Sequence, residues 1–175
     1  MNLGLLHIYC GDGKGKTTAC IGLAVRAAGR GFKVLFVQFL KSRTTGELKS
    51  FELFENIEVM RGKETTKFTF QMNAEEKQVV LHEHEELFSL VLDKLNNEKI
   101  DLLVLDEVIG ACNARVFSIE RLIAFLQGKP AGLEVVLSGR NPAKELIELA
   151  DYVSEVKMIK HPLKKGIPAR DGIER

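Results

Sequence analysis

Leu5-Leu6-His7-Ile8-Tyr9 is an apolar, β-rich run that passes directly into Gly11-Asp12-Gly13-Lys14-Gly15-Lys16-Thr17-Thr18 and then into a helix-forming stretch, residues 17–28. No other feature constrains the fold as strongly, because a strand, a glycine-rich turn and a helix start follow one another with almost no spare chain. Glycines let the backbone curl until successive N–H groups point inward, and the helix start adds a partial positive charge at the same spot. Such a turn suits phosphate oxygens. Lys16 is placed to reach the β/γ region of a nucleotide, and the Thr17 hydroxyl to ligate Mg²⁺. The strict pattern G-x-x-x-x-G-K-[ST] asks for glycine at position 10, where this chain has Cys10. A turn that only joined strand to helix would not need Gly-Lys-Thr at the helix start. Lys14 reads equally as a phosphate-facing or a solvated lysine.

Three further apolar runs, residues 33–39, 100–105 and 133–137, have the near-continuous hydrophobicity of strands covered on both faces. Helix-like stretches at 73–95, 119–126 and 143–150 alternate with them. Gly29 and Gly31 end the first helix. Asn73 and Ser118 are placed as N-caps, with Glu76 completing a capping box with Asn73. The expected fold is therefore α/β: one P-loop NTPase-like, RecA-like domain over residues 1–175, with a mainly parallel central sheet flanked by helices. The polar stretch 41–67, with one short strand at 57–60, is the expected place for a mobile active-site segment.

Twenty-five basic against 24 acidic residues leave a formal charge of +1, so no global field draws the chain to nucleic acid or an anionic membrane. Any anion site must be local. Three cysteines without a C-x-x-C pair argue against a disulfide framework or structural zinc and for a reducing cytoplasm. No segment approaches the roughly 20 apolar residues of a membrane span.

Ile100-Asp101-Leu102-Leu103-Val104-Leu105-Asp106-Glu107 supplies the complement of the phosphate loop, a buried strand ending on two carboxylates. A magnesium–triphosphate site needs such groups, since Mg²⁺ prefers oxygen ligands and keeps several waters. In a parallel sheet these strand ends gather beside the loop after the first strand. Asp106 and Glu107 capping the following segment is the alternative.

Further stretches narrow the reaction. The phosphate loop with Arg26-Ala27-Ala28-Gly29, then Val37-Gln38-Phe39-Leu40-Lys41 and Gly46-Glu47, closely resembles the ATP:corrinoid adenosyltransferase family. So do Leu105-Asp106-Glu107, Leu137-Ser138-Gly139-Arg140, Ala150-Asp151-Tyr152-Val153-Ser154-Glu155, Lys160-His161-Pro162 and Gly172-Ile173-Glu174. The resemblance includes a phosphate loop without the first glycine, so Cys10 becomes a family trait. It implies transfer of the 5′-deoxyadenosyl group of ATP to the cobalt(I) of a corrinoid, with release of triphosphate. The cobalt is the nucleophile, so the protein contributes placement and charge. Lys16, Thr17 and Glu107 are the implied catalytic residues, and Thr17, Asp106 and Glu107 the implied Mg²⁺ ligands. ATP would be held by residues 11–18 together with Arg26, Gln38, Lys41, Arg140 and His161.

The family removes the lower axial ligand of the corrinoid with aromatic side chains beneath the ring. Lys67-Phe68-Thr69-Phe70 matches that segment, and Phe68 and Phe70 would share one face of an extended strand, the alternative being two phenylalanines of a strand packed on the core. Phe70 stands where the family often has tryptophan, a residue this chain lacks. The resemblance further implies a cytoplasmic homodimer and a reductase of flavodoxin-like type as electron donor. Many family members carry an extension before the first strand that folds over the site; here about four residues precede it, so closure is expected from 41–67 or a second subunit. Alternatives from other classes are a small-molecule kinase, which would release ADP, and a nucleotide-dependent switch whose hydrolysis answers to a partner. His82 and His84, two apart in a helix, are poorly placed to share a metal.

Overall fold

A computed structural model describes residues 3–40, 45–62 and 69–174. Six strands form one sheet: β1 (Leu6–Cys10), β2 (Val34–Gln38), β3 (Ile57–Arg61), β4 (Leu102–Asp106), β5 (Glu134–Ser138) and β6 (Tyr152–Glu155). Their spatial order is β3-β2-β4-β5-β1-β6, and every pairing is parallel. Parallel neighbours require crossovers, and helices supply them. They are α1 (Lys16–Ala28), α2 (Gly46–Phe51), α3 (Ala74–Asn97), α4 (Val108–Asn113), α5 (Ile119–Gly128) and α6 (Lys144–Leu149).

The strand residues divide with period two between two cores. Ile8, Leu35, Val37, Leu103, Leu105, Val135 and Leu137 pack with Phe88 and Val91 of α3 and Leu122 of α5. Val34, Phe36, Leu102, Val104 and Val136 pack on the other face against Cys20, Ala24, Ala27 and Ala28 of α1. Small residues along that face of α1 bring its axis close to the sheet. All five residues of both β2 and β4 are buried, which is why their sequences show no polar alternation.

Helix starts follow the caps read from sequence. The Glu76 amide donates to Asn73 Oδ1 at 2.8 Å and the Asn73 amide to Glu76 Oε2 at 2.9 Å, a full capping box. Ser118 Oγ accepts from the Arg121 amide at 3.0 Å. The short strand expected within residues 41–67 is β3, and the same stretch also holds a helix, α2. Residues 41–44 and 63–68 lie outside the described part. Two helices and one strand lie outside the expected elements. Both α2 and α4 have six residues, too few to display a helical period, and β6 is an edge strand with every residue exposed, so no apolar run marks it.

Register fixes what meets at the C-terminal edge of the sheet. Tyr9 pairs with Ser138, Leu105 with Leu137, and Gln38 with Asp106. Strand β5 lies between β1 and β4, so the ends carrying Cys10, Ser138, Asp106 and Gln38 stand in a row.

Candidate functional site

Cys10 is buried at the end of β1, opposite Glu155, in ordinary strand backbone. A side chain is therefore tolerated there, and burial followed by the nearby Glu155 charge raises its thiol pKa. The turn begins one residue later, at Gly11 with φ +103°. Lys16 opens α1 and is buried; its Nζ donates to the Gly13 carbonyl at 2.9 Å, which folds the ammonium back across the loop. Gly13 donates its own N–H to Val156 O at 2.8 Å, and Asp12 Oδ1 accepts from the Met158 amide at 3.0 Å. That amide holds the Asp12 carboxyl below its usual range.

The acidic end of β4 meets the loop directly. Thr17 Oγ1 donates toward both carboxylate oxygens of Asp106, at 3.1 and 3.2 Å. Ser138 Oγ, from the strand between, donates to Asp106 Oδ1 at 2.6 Å and accepts from the Glu107 amide at 2.8 Å. Asp106 is fully buried. Glu107 is half-buried in the left-handed region, φ 60°, a conformation that costs a non-glycine residue about 1–2 kcal/mol. The strain turns the chain sharply from β4 into α4. Ser138 is the site residue that sequence reasoning quoted without giving it a role; a serine closing an otherwise apolar buried strand was the available signal.

Gln38 is 1% exposed at the end of β2, and its Nε2 donates to Glu47 Oε1 at 3.1 Å. Its Oε1 is buried without a hydrogen-bond partner among the described residues. An orphaned acceptor costs on the order of 1–3 kcal/mol, a debt that a ligand donor can discharge. Nearby, His84 on α3 is buried, with Nδ1 2.8 Å from the Val116 carbonyl. A carbonyl can only accept, so Nδ1 carries the proton and Nε2 faces the Leu40 amide at 3.5 Å. His82 is exposed and pairs with Glu86 at 3.2 Å, so the two histidines do diverge.

Other expected residues are scattered around this centre. Arg26 is exposed in the last turn of α1; Arg140 is exposed after β5, its carbonyl accepting from Asn113 Nδ2 at 2.7 Å. His161 is half-buried just before a short turn of 3-10 helix, Pro162–Lys165. Lys14 is exposed on the loop and Thr18 in the first turn of α1. Lys41 and Phe68 lie outside the described residues. The expected extended strand around Phe70 is corrected: Phe70 sits in a 3-10 turn, Thr69–Gln71, and is 80% exposed. The Met72 amide donates to Thr69 O at 3.4 Å and closes this turn just before the Asn73 cap of α3.

The donors that converge at Thr17 and Asp106 are all oxygen, and the hydroxyl faces the carboxylate with no thiol or imidazole among them. That set fits a hard, partly hydrated cation such as Mg²⁺. Among the described residues, no group of three or more His, Cys, Asp or Glu side chains forms a metal cage, and no helix is long and apolar enough to cross a membrane.

Comparisons with known proteins bear on this geometry. A family model described as ATP:corrinoid adenosyltransferase BtuR/CobO/CobP matches residues 2–175. A corrinoid adenosyltransferase of Pseudomonas aeruginosa is 34% identical over 172 residues, covering 98% of this chain and 83% of that one. A corrinoid adenosyltransferase of Escherichia coli K12 is 32% identical over 173 residues, covering 98% and 85%. Among solved structures, a KaiC-like protein of Pyrococcus horikoshii has a TM-score of 0.52 at 18% identity, covering 87% of this chain and 71% of that one, a likeness of fold alone.

Proposed function

The chain belongs to the ATP:corrinoid adenosyltransferase family, and from that premise we propose how its residues divide the work. The enzyme transfers the 5′-deoxyadenosyl group of ATP to the cobalt(I) of a corrinoid and releases triphosphate, in the synthesis or salvage of cobalamin. The bond that breaks joins C5′ to its oxygen on the α-phosphate, and the bond that forms joins C5′ to cobalt. Both electrons of the new bond come from cobalt, so no side-chain nucleophile is required. The leaving group gains negative charge as it departs. What the protein must do is hold C5′ in line and stabilise that charge.

The observation that carries this reading is the meeting of Thr17 with Asp106 beside the buried Lys16. Lys16 lies over the loop with its Nζ on Gly13 O, within reach of a triphosphate held there, where its charge offsets what develops. Backbone amides at the start of α1 add the helix-end field. Thr17 and Asp106, with Glu107 beside them, are the residues that would hold Mg²⁺. When bound, that ion neutralises phosphate charge. Ser138 keeps the Asp106 carboxylate aimed while its partner contact, the Glu107 amide, anchors the strained turn. Gln38 offers its orphaned oxygen to a donor on a substrate. Arg26, Lys41, Arg140 and His161 are assigned to ATP, and Phe68 and Phe70 to the corrinoid face; the 80% exposure of Phe70 leaves most of its surface accessible to a corrinoid. The same reading has residues 1–175 act as one cytoplasmic domain within a homodimer, with cobalt reduced by a flavodoxin-like reductase.

The test is anaerobic. Protein, ATP, Mg²⁺ and chemically reduced cobalamin are mixed, and the cobalt spectrum and phosphate product are followed. A cobalt–carbon spectrum with triphosphate is expected; ADP with unchanged corrinoid would overturn the reading. Lys16→Ala is expected to lower kcat on the order of a hundredfold or more.

A further inference from the structure

Beyond its end, β6 continues alongside the phosphate loop and is stitched to it. The Val156 amide donates to Cys10 O at 2.8 Å, the Gly13 amide to Val156 O at 2.8 Å, and the Met158 amide to Asp12 Oδ1 at 3.0 Å. The approach is so close that side chains are excluded from the loop. A Cβ on Gly11 would stand 2.4 Å from Val156 O, and one on Gly13 would stand 2.8 Å from Val156 O and 2.9 Å from the carbonyl of Lys157. Glycine is thus required at both positions by the neighbouring chain, whether or not phosphate is bound. The Gly13 N–H is also already committed, which leaves the cradle to amides from Lys14 onward.

Asp12 is the odd residue in this arrangement, because an ionised carboxylate on a loop that receives triphosphate repels its ligand. Its side chain is exposed, yet it is held to Met158 rather than left in solvent. The segment it holds leads at once to Lys160, His161, Lys164 and Lys165. We propose that Asp12 is a positioning residue whose carboxylate pins residues 156–158 to the phosphate loop. By that means it sets where the basic residues 160–165 stand relative to a triphosphate in the loop. The proposal rests on the assignment of the loop to triphosphate, and it makes the Asp12 charge secondary to its ability to accept one hydrogen bond.

Asp12→Asn keeps an acceptor at Oδ1 and removes the charge; Asp12→Ala removes both. The full chain and both variants are exposed to trypsin, with and without Mg²⁺ and tripolyphosphate, and cleavage after Lys157, Lys160 and Lys165 is timed. Without ligand, Asp12→Ala is expected to be cut about tenfold faster than the parent and Asp12→Asn to recover most of the difference. In the adenosylation assay, KM for ATP rises about tenfold in Asp12→Ala with a smaller change in kcat, and Asp12→Asn again recovers most of it. Thermal melting of each variant checks that the fold is retained. Equal cleavage in all three chains, or an Asp12→Asn as impaired as Asp12→Ala, overturns the clamp. If tripolyphosphate fails to slow cleavage of the parent while the variants still differ, the clamp stands and the loop assignment falls.

Discussion

Ser138 contributes nothing that can react, yet its hydroxyl bridges the carboxylate of Asp106 and the amide of Glu107. Ser138→Ala leaves one buried carboxylate oxygen with a lost donor and one buried N–H with a lost acceptor. The expected result is a loss of about 1–3 kcal/mol in stability by urea unfolding, together with a fall in kcat of about tenfold or more as Asp106 loses its aim. A fall in stability with kcat untouched would show that Asp106 does not depend on this support. Gln38 and His84 extend the same theme: buried polar atoms near the mouth of the site, one acceptor unsatisfied and one imidazole fixed as a single tautomer.

At the scale of elements, α3 shows how local chemistry shapes the surroundings of the site. Its capping box, Asn73 with Glu76, starts the helix directly after the 3-10 turn that carries Phe70. Asn73→Ala is expected to cost about 1 kcal/mol, read as a lowered unfolding midpoint in urea. The elements legible in the sequence were those whose residues answer to one dominant cause. Buried strands β2 and β4 advertise themselves by unbroken hydrophobicity, and α1 and α3 by their starts. The remainder answers to tertiary contacts. Tyr152-Val153-Ser154-Glu155 becomes a strand because β1 offers a free edge, and Phe70 leaves the expected extended path in a 3-10 turn closed by the Met72 amide on Thr69 O. The site divides the same way. Lys16, Thr17 and Asp106 follow from loop and strand-end logic, whereas the roles of Ser138 and Asp12 depend on neighbours distant in sequence.

For the whole molecule, acid should act in two stages. Burial lowers the His84 pKa from its ordinary 6.5, with the Val116 carbonyl and the flanking Glu83 and Glu85 opposing more weakly. The unfolded chain therefore binds the proton more readily, so stability from His84 is complete above pH 6.5 and declines as pH falls toward the lowered folded value. A second decline follows from Glu98, whose carboxyl is lowered from 4.5 to about 2 by Lys33 first and Lys94 second. Its contribution is present above pH 4.5 and is lost as pH drops toward 2. Urea midpoints measured across this range are expected to fall in both windows, and His84→Gln is expected to flatten the upper one. Persistence of the upper decline in that variant would assign it to another group.

The insertion of β5 between β1 and β4 has a metric consequence. Neighbouring strands are held about 4.8 Å apart by the backbone ladder, so the backbones of β1 and β4 stand about 10 Å apart across the sheet, an interval that the side chains of Thr17 and Asp106 reach across. That interval is graduated by main-chain geometry and is indifferent to side-chain identity. The site thus works as a gauge block: the spacing of the two strand ends that carry loop and carboxylate is machined into the fold, and the parts fitted around them, after β2, β3 and β6, are the ones that can be cut to suit a different substrate.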